Sequence, residues 1–182
     1  MPTPATATTP DPDVAPPTER EVFPIYMSVV TDGPLPGVHN LLHLSVEFAP
    51  TLRKSWNIIP QNGRIRPGAR LPEAVQATLS RGAVSVGEAM AELETWLTRF
   101  QGARLPVTSA VAFWHLLYHM SQYTSKLPFL ANPIDVNSFH AGAHGNLKAT
   151  RLVKGKDPEK ALAQRKKIVE DAIKKAEDMN FW

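Results

Sequence analysis

The sequence contains no cysteine in its 182 residues. That excludes disulfides, thiolate metal sites and cysteine nucleophiles, and leaves only oxygen and imidazole as ligands for a metal. It also agrees with a reducing compartment, so a cytoplasmic protein is expected. No apolar run approaches the roughly 18 residues that a membrane span needs, and no apolar core follows a basic start. A soluble protein without a membrane partner is therefore expected. With 43% hydrophobic residues, the chain has enough apolar surface for one ordinary core, and a second full domain is not expected.

Net charge is only +3, but it is unevenly spread. Residues 1–21 carry Asp11, Asp13, Glu19 and Glu21 against Arg20, whereas residues 151–175 carry nine Lys/Arg against Asp157, Glu159, Glu170 and Asp171. The basic end is suited to meet phosphate. The stretch 1–21 is rich in Pro, Thr and Ala, with one Val as its large apolar side chain. Such a stretch cannot recover the entropy lost on ordering, and a disordered tail before a single domain at 22–182 is expected.

From Val22 the texture changes. "VFPIYMSVV" and "LLHLSVEFA" are β-branched and apolar, and Asp32, Gly33, Pro34, Pro36 and Gly37 form the turn between them. "RKSWNIIP" alternates as a third strand, and "QNGRIRPGARLP" reads as loop. A short helix is expected at 72–80. A stronger one follows at 85–100, where Ser85 and Glu88 form a capping box. "ARLPVTSAV" reads as strand, and 112–126 as an amphipathic helix with Phe113, Leu116, Leu117 and Met120 on one face and His115, His119, Gln122 and Lys126 on the other. "IDVNSFHAGAHG" suggests a short strand or helix start running into a glycine-rich loop. Asp157 as N-cap and Pro158 at the first position open a terminal helix, with Leu162, Val169, Ile173 and Ala176 facing inward. The order predicts an α/β fold: a mixed sheet of three antiparallel strands followed by parallel strands, flanked by helices.

These strings resemble the DEDD-type 3'-5' exonucleases of the proofreading superfamily, which have a ribonuclease-H-like fold. In a small group of them the first strand carries D-x-E before T-D-G-P-x-P-G; here "SVVTDGPLPG" and "HNLLHLSVEF" fill those places. "AVAFWHLLYHMSQYTSKLPF" and "PIDVNSFH" resemble the second acidic motif and the strand behind it, and "VEDAI" resembles the terminal H-x-A-x-D-D-A helix. The resemblance spans Val22 to Ala176.

Such enzymes clamp the scissile phosphate with two divalent metals, magnesium or manganese, held by carboxylates, and a general base takes a proton from water. Carried onto this chain, the resemblance puts the first two carboxylate positions at Ser28 and Val30, the middle aspartate at Ala112, the histidine at Lys166 and the last aspartate at Asp171. Only Asp171 keeps its acid. The implied protein is a catalytically inactive, exonuclease-like binding or scaffold module that uses no cofactor and has nucleic acid or a protein as partner. One alternative is a divergent nuclease using magnesium or manganese on Asp32, Asp135 and Asp171. Another is a structural subunit of a larger assembly.

Each residue also has a plainer reading. Asp32 before Gly33 is a common turn residue, Asp135 a cap or turn acceptor, and Asp171 a member of a solvated helix face. The spacings His115/His119 and His140/His144 allow chelation on a helix, but the polar face that continues to Lys126 favours surface histidines. Trp56, Trp96, Phe113, Trp114 and Tyr118 are of the type that stacks on bases, but they lie in apolar patterns and are expected in the core. Arg165, Lys166, Lys167, Lys174 and Lys175 are the candidate phosphate contacts, outside the buried stripe of the terminal helix.

Overall fold

The computed structural model describes residues 22–49, 52–61, 63–79, 82–100, 102–143 and 157–178. The expected tail at 1–21 lies outside them, as do His144 and the side chains of His140, Ile173, Lys175 and Ala176. Strand β1 (Val22–Thr31) is followed by β2 (Leu41–Ala49) and β3 (Leu52–Asn57). Helices α1 (Glu73–Thr78) and α2 (Val86–Thr98) come next, then β4 (Ala103–Thr108), α3 (Ala110–Tyr123), β5 (Ile134–Asp135), α4 (Val136–Ala143) and α5 (Pro158–Asp178).

The five strands form one sheet in the order β3-β2-β1-β4-β5. The β3-β2 and β2-β1 pairs are antiparallel, and the β1-β4 and β4-β5 pairs are parallel. This is the mixed α/β sheet that the sequence pattern predicts. Its strand side chains alternate between two covered faces. On one, Ile25, Met27, Leu44 and Val46 pack against Met90, Leu93 and Leu97 of α2 and Phe113, Leu116 and Met120 of α3. On the other, Tyr26 and Val107 meet Val136 of α4 and Leu162 and Val169 of α5. A side chain such as Leu93 or Leu162, with no exposed area, stabilises the fold by roughly 2 kcal/mol.

Local signals place the helices on this sheet. Glu88 N–H donates to Ser85 Oγ at 3.2 Å, and Ser85 N–H donates to Glu88 Oε2 at 2.8 Å, so the start of α2 is held from both sides. Ser109 Oγ accepts from Ala112 N–H at 3.3 Å to start α3. Asp157 Oδ1 accepts from Glu159 N–H at 2.9 Å as the cap of α5. No described helix is long and apolar enough to cross a membrane.

Candidate functional site

Strand alternation puts Tyr26, Ser28 and Val30 on the α5 side of β1, because Ile25 and Met27 fill the opposite core. Across the sheet Ser28 pairs with Ser45 and Val30 with His43, while Ser45 and His43 pair with Ser55 and Asn57 of β3. The result is a polar band under an otherwise apolar helix contact. His43 Nδ1 lies 2.8 Å from Asn57 Oδ1 and its Nε2 lies 2.7 Å from Ser45 Oγ. An amide oxygen only accepts, so Nδ1 carries the proton and Nε2 accepts from the serine. Burial pushes the His43 pKa down, partly offset by the Asn57 hydrogen bond and by Glu159 and Asp157, and this favours the neutral ring. The arrangement has the connectivity of a nucleophile, a base and an orienting group. Yet Ser45 has no exposed area, so no substrate carbonyl reaches it. The adjoining cleft, about 340 Å³, is lined instead by His43, Asn57, Thr78, Asp157 and Glu159.

Helix α5 runs over this band from Val30 toward the start of β1. Its first residues lie by His43, and farther on Glu170 bears on the Tyr26 hydroxyl. Between them Arg165 Nη1 donates to the carbonyl of Met27, the peptide that leads into Ser28. Thr108 Oγ1, at the end of β4, donates to the same oxygen at 2.9 Å. Burial lowers the Arg165 pKa to about 10, with Asp135 opposing the shift, so the guanidinium stays charged at neutral pH. Asp135 joins the starts of two helices. Its Oδ2 accepts from Ser138 Oγ of α4 at 2.6 Å, and its Oδ1 from Ala110 N–H of α3 at 3.2 Å.

Lys166 Nζ is 3.0 Å from Glu47 Oε1, and Arg53 Nη2 is 2.7 Å from Glu47 Oε2. Burial pushes the Glu47 carboxyl up, but the hydrogen bonds from Arg53 and Lys166 outweigh it and hold the pKa below the usual range. Removing this carboxylate by Glu47→Ala leaves two cations facing each other. Both partners reach solvent in part, so the expected loss is about 1–2 kcal/mol, less than for a fully buried pair. Urea unfolding at pH 7 checks it, and an unchanged midpoint contradicts it.

In fold, the chain is similar to exonuclease I. A product-bound structure of that enzyme aligns with a TM-score of 0.53 and 11% identity, over 88% of this chain and 46% of that one. The chain thus spans about half the length of this structural neighbour, and at this identity the likeness bears on the fold alone. No family model matches the chain, and no curated protein matches its sequence. The ribonuclease-H-like arrangement implied by the sequence motifs is in keeping with this neighbour.

The motif positions are not gathered in one place. Ser28, the β4-α3 junction that carries Ala112, Asp135 and Arg165 share the neighbourhood of the Met27 carbonyl. Lys166 turns to Glu47. Asp171 is exposed, six residues and roughly 9 Å of helix beyond Arg165. The donors do not fit a pair of hard divalent cations, which call for several carboxylate oxygens. Ser28 offers a hydroxyl, Val30 nothing, and Arg165 brings a fixed positive charge. Among the described residues, no three His, Asp or Glu side chains are placed to share one metal ion.

Three expectations are corrected. Arg165 and Lys166 point to the sheet rather than outward, because the Met27 carbonyl and the buried Glu47 carboxylate beneath them accept their hydrogen bonds. Of the five basic candidates, Lys167 and Lys174 are exposed, among the acids Glu159, Glu170 and Asp171. His115 and His119 have no exposed area and no hydrogen-bond partner for any ring nitrogen. The Gly33–Pro34 backbone beside His115 falls short of hydrogen-bond geometry, although it still favours the charged ring slightly. Trp114 and Tyr118 are exposed instead of buried, whereas Trp56 and Phe113 are core and Trp96 packs against it.

Asp32 belongs to a loop clamp. Its carboxylate accepts from Asn40 N–H at 2.7 Å, Asn40 Nδ2 at 2.6 Å and Arg66 N–H at 3.0 Å. A β-carbon at Gly33 would fall 2.1 Å from the His39 ring, so the turn needs glycine there. Glu47 and His43 were missed as site residues, yet "LLHLSVEFA" places both on one face at period two.

Proposed function

We propose that this chain is a catalytically inactive, exonuclease-like domain that serves as a nucleic-acid-binding module. The observation that carries the reading is the Arg165 guanidinium on the Met27 carbonyl, beside the Ser28 position where the resemblance expects a metal-binding acid. A charged guanidinium in that place repels divalent cations, and neither Ser28 nor Val30 supplies the charge to hold them. The three acids of the divergent-nuclease alternative do not converge. Asp32 is engaged by three donors, Asp135 caps two helix starts, and Asp171 is exposed far along α5.

The test is incubation of the purified chain with 5'-labelled single-stranded DNA and RNA in magnesium or manganese. No shortening from the 3' end is expected. Metal-dependent release of 3' nucleotides that disappears in Asp171→Ala overturns the inactive reading and restores the nuclease.

A further inference from the structure

The outer face of α3 carries Trp114, 62% exposed, and Tyr118, 40% exposed, one helical turn apart. They border an open groove of about 590 Å³ that continues over Pro36, Leu117 and Leu127 and ends at Lys126. The Tyr118 ring packs on the turn at Gly37: a β-carbon there, where φ is +77°, would lie 2.8 Å from it. The turn through Pro36 also forms the next cleft, where Val38 and His39 meet Arg64 and Arg66. Arg66 Nη1 lies 2.9 Å from His39 Nε2. Both clefts are therefore rims of one surface.

Among the described residues that line the two clefts, the cations are Lys126, Arg64 and Arg66, and the acid is Asp32. Asp32 is itself buried and engaged by three donors. Exposed aromatic faces next to cations, with no exposed carboxylate among the described lining residues, are the ingredients of a stacking platform. An apolar peptide would use the rings but not the arginines. A duplex would use the arginines but hides its base faces.

We propose that the Trp114–Tyr118 groove binds single-stranded nucleic acid by base stacking, with Lys126, Arg64 and Arg66 taking the phosphates. This rests on the nucleic-acid-binding function proposed for the chain and moves its contact surface from α5 to the opposite side of the sheet. Binding is indifferent to sequence, since every base has a stackable face, and weakens with salt as counterions return to the strand.

The experiment is fluorescence anisotropy of the full chain with labelled 12-nucleotide oligo-dT and oligo-U at low salt, with a matched duplex beside them. Loss of one stacked base is worth about 1–3 kcal/mol, so Trp114→Ala is expected to weaken single-strand binding roughly 5- to 150-fold. Trp114→Phe should recover part of it, and Arg64→Ala with Arg66→Ala should flatten the salt dependence. Lys167→Ala with Lys174→Ala should leave binding unchanged. If the wild type binds but Trp114→Ala binds equally well, this groove is overturned while the nucleic-acid reading stands. If the wild type binds neither strand nor duplex, the reading itself falls and the groove with it.

Discussion

Replacement of His119 by leucine is expected to reduce the acid sensitivity of this domain clearly between about pH 6.5 and pH 4. His119 lies fully inside the protein, with no partner for either ring nitrogen. Burial, and then the neighbouring His115 with ring centroids 6.3 Å apart, lower its pKa from 6.5 to about 4. A depressed histidine favours the neutral ring in the folded state. Its contribution is therefore fully present above the unfolded pKa and is lost as pH falls through the folded one. A shift of that size corresponds to about 3 kcal/mol. The His115 pKa is also lowered, mainly by burial, and acts in the same direction. Urea unfolding at pH 7.5, 6 and 5 measures the effect: the wild type should lose stability steadily, and His119→Leu should lose clearly less, with the remaining slope due to His115 and His43. An equal slope in both proteins places the acid sensitivity elsewhere. Leucine also removes two unsatisfied buried nitrogens, so the variant should be no less stable at pH 7.5.

Why those histidines were misplaced shows where sequence reading ends. A helical wheel separates faces by polarity, and it succeeds for α2, where one apolar stripe meets the sheet and the far side is solvated. Helix α3 is covered on two sides, by the core through Phe113, Leu116 and Met120 and by the Gly33–Pro34 backbone over His115. Its histidines therefore enter the interior and its Trp114 and Tyr118 are left outside. Hydrophobicity alone carries no information about the second contact. The strands were easier. β1 and β2 alternate at period two around an Asp-Gly-Pro turn, and their partner faces follow from parity. Arg165 shows a third case: nothing in "AQRKK" distinguishes it from its neighbours, and only the Met27 carbonyl beneath the helix does.

The TDGP turn invites a last expectation, because it persists where the adjoining acid positions hold Ser28 and Val30. Its carboxylate is explained by the loops it joins. Asp32 gathers the N–H and side-chain amide of Asn40 and the N–H of Arg66. Asn40 in turn donates from Nδ2 to the Arg64 carbonyl at 3.1 Å and accepts from Gln61 N–H at 2.9 Å. One buried pair thus fixes the 61–66 loop against the turn between β1 and β2. Burial pushes the Asp32 carboxyl up, but the hydrogen bonds from Asn40 and Arg66 outweigh it and hold its pKa below the usual value. Alanine at this position strands three donors, two of them on the backbone, at about 1 kcal/mol or more each. Asp32→Ala is therefore expected to cost about 3–4 kcal/mol. Asp32→Asn keeps the shape and one acceptor and should cost about half as much. Hydrogen exchange gives an independent reading: the amides of Asn40 and Arg66 should lose protection in Asp32→Ala while those of β1 keep theirs. The same variant loosens Arg64 and Arg66 beside the aromatic groove, so single-strand binding should weaken even where the fold survives. If Asp32→Ala costs less than about 1 kcal/mol and leaves both amides protected, the clamp is not what retains the turn.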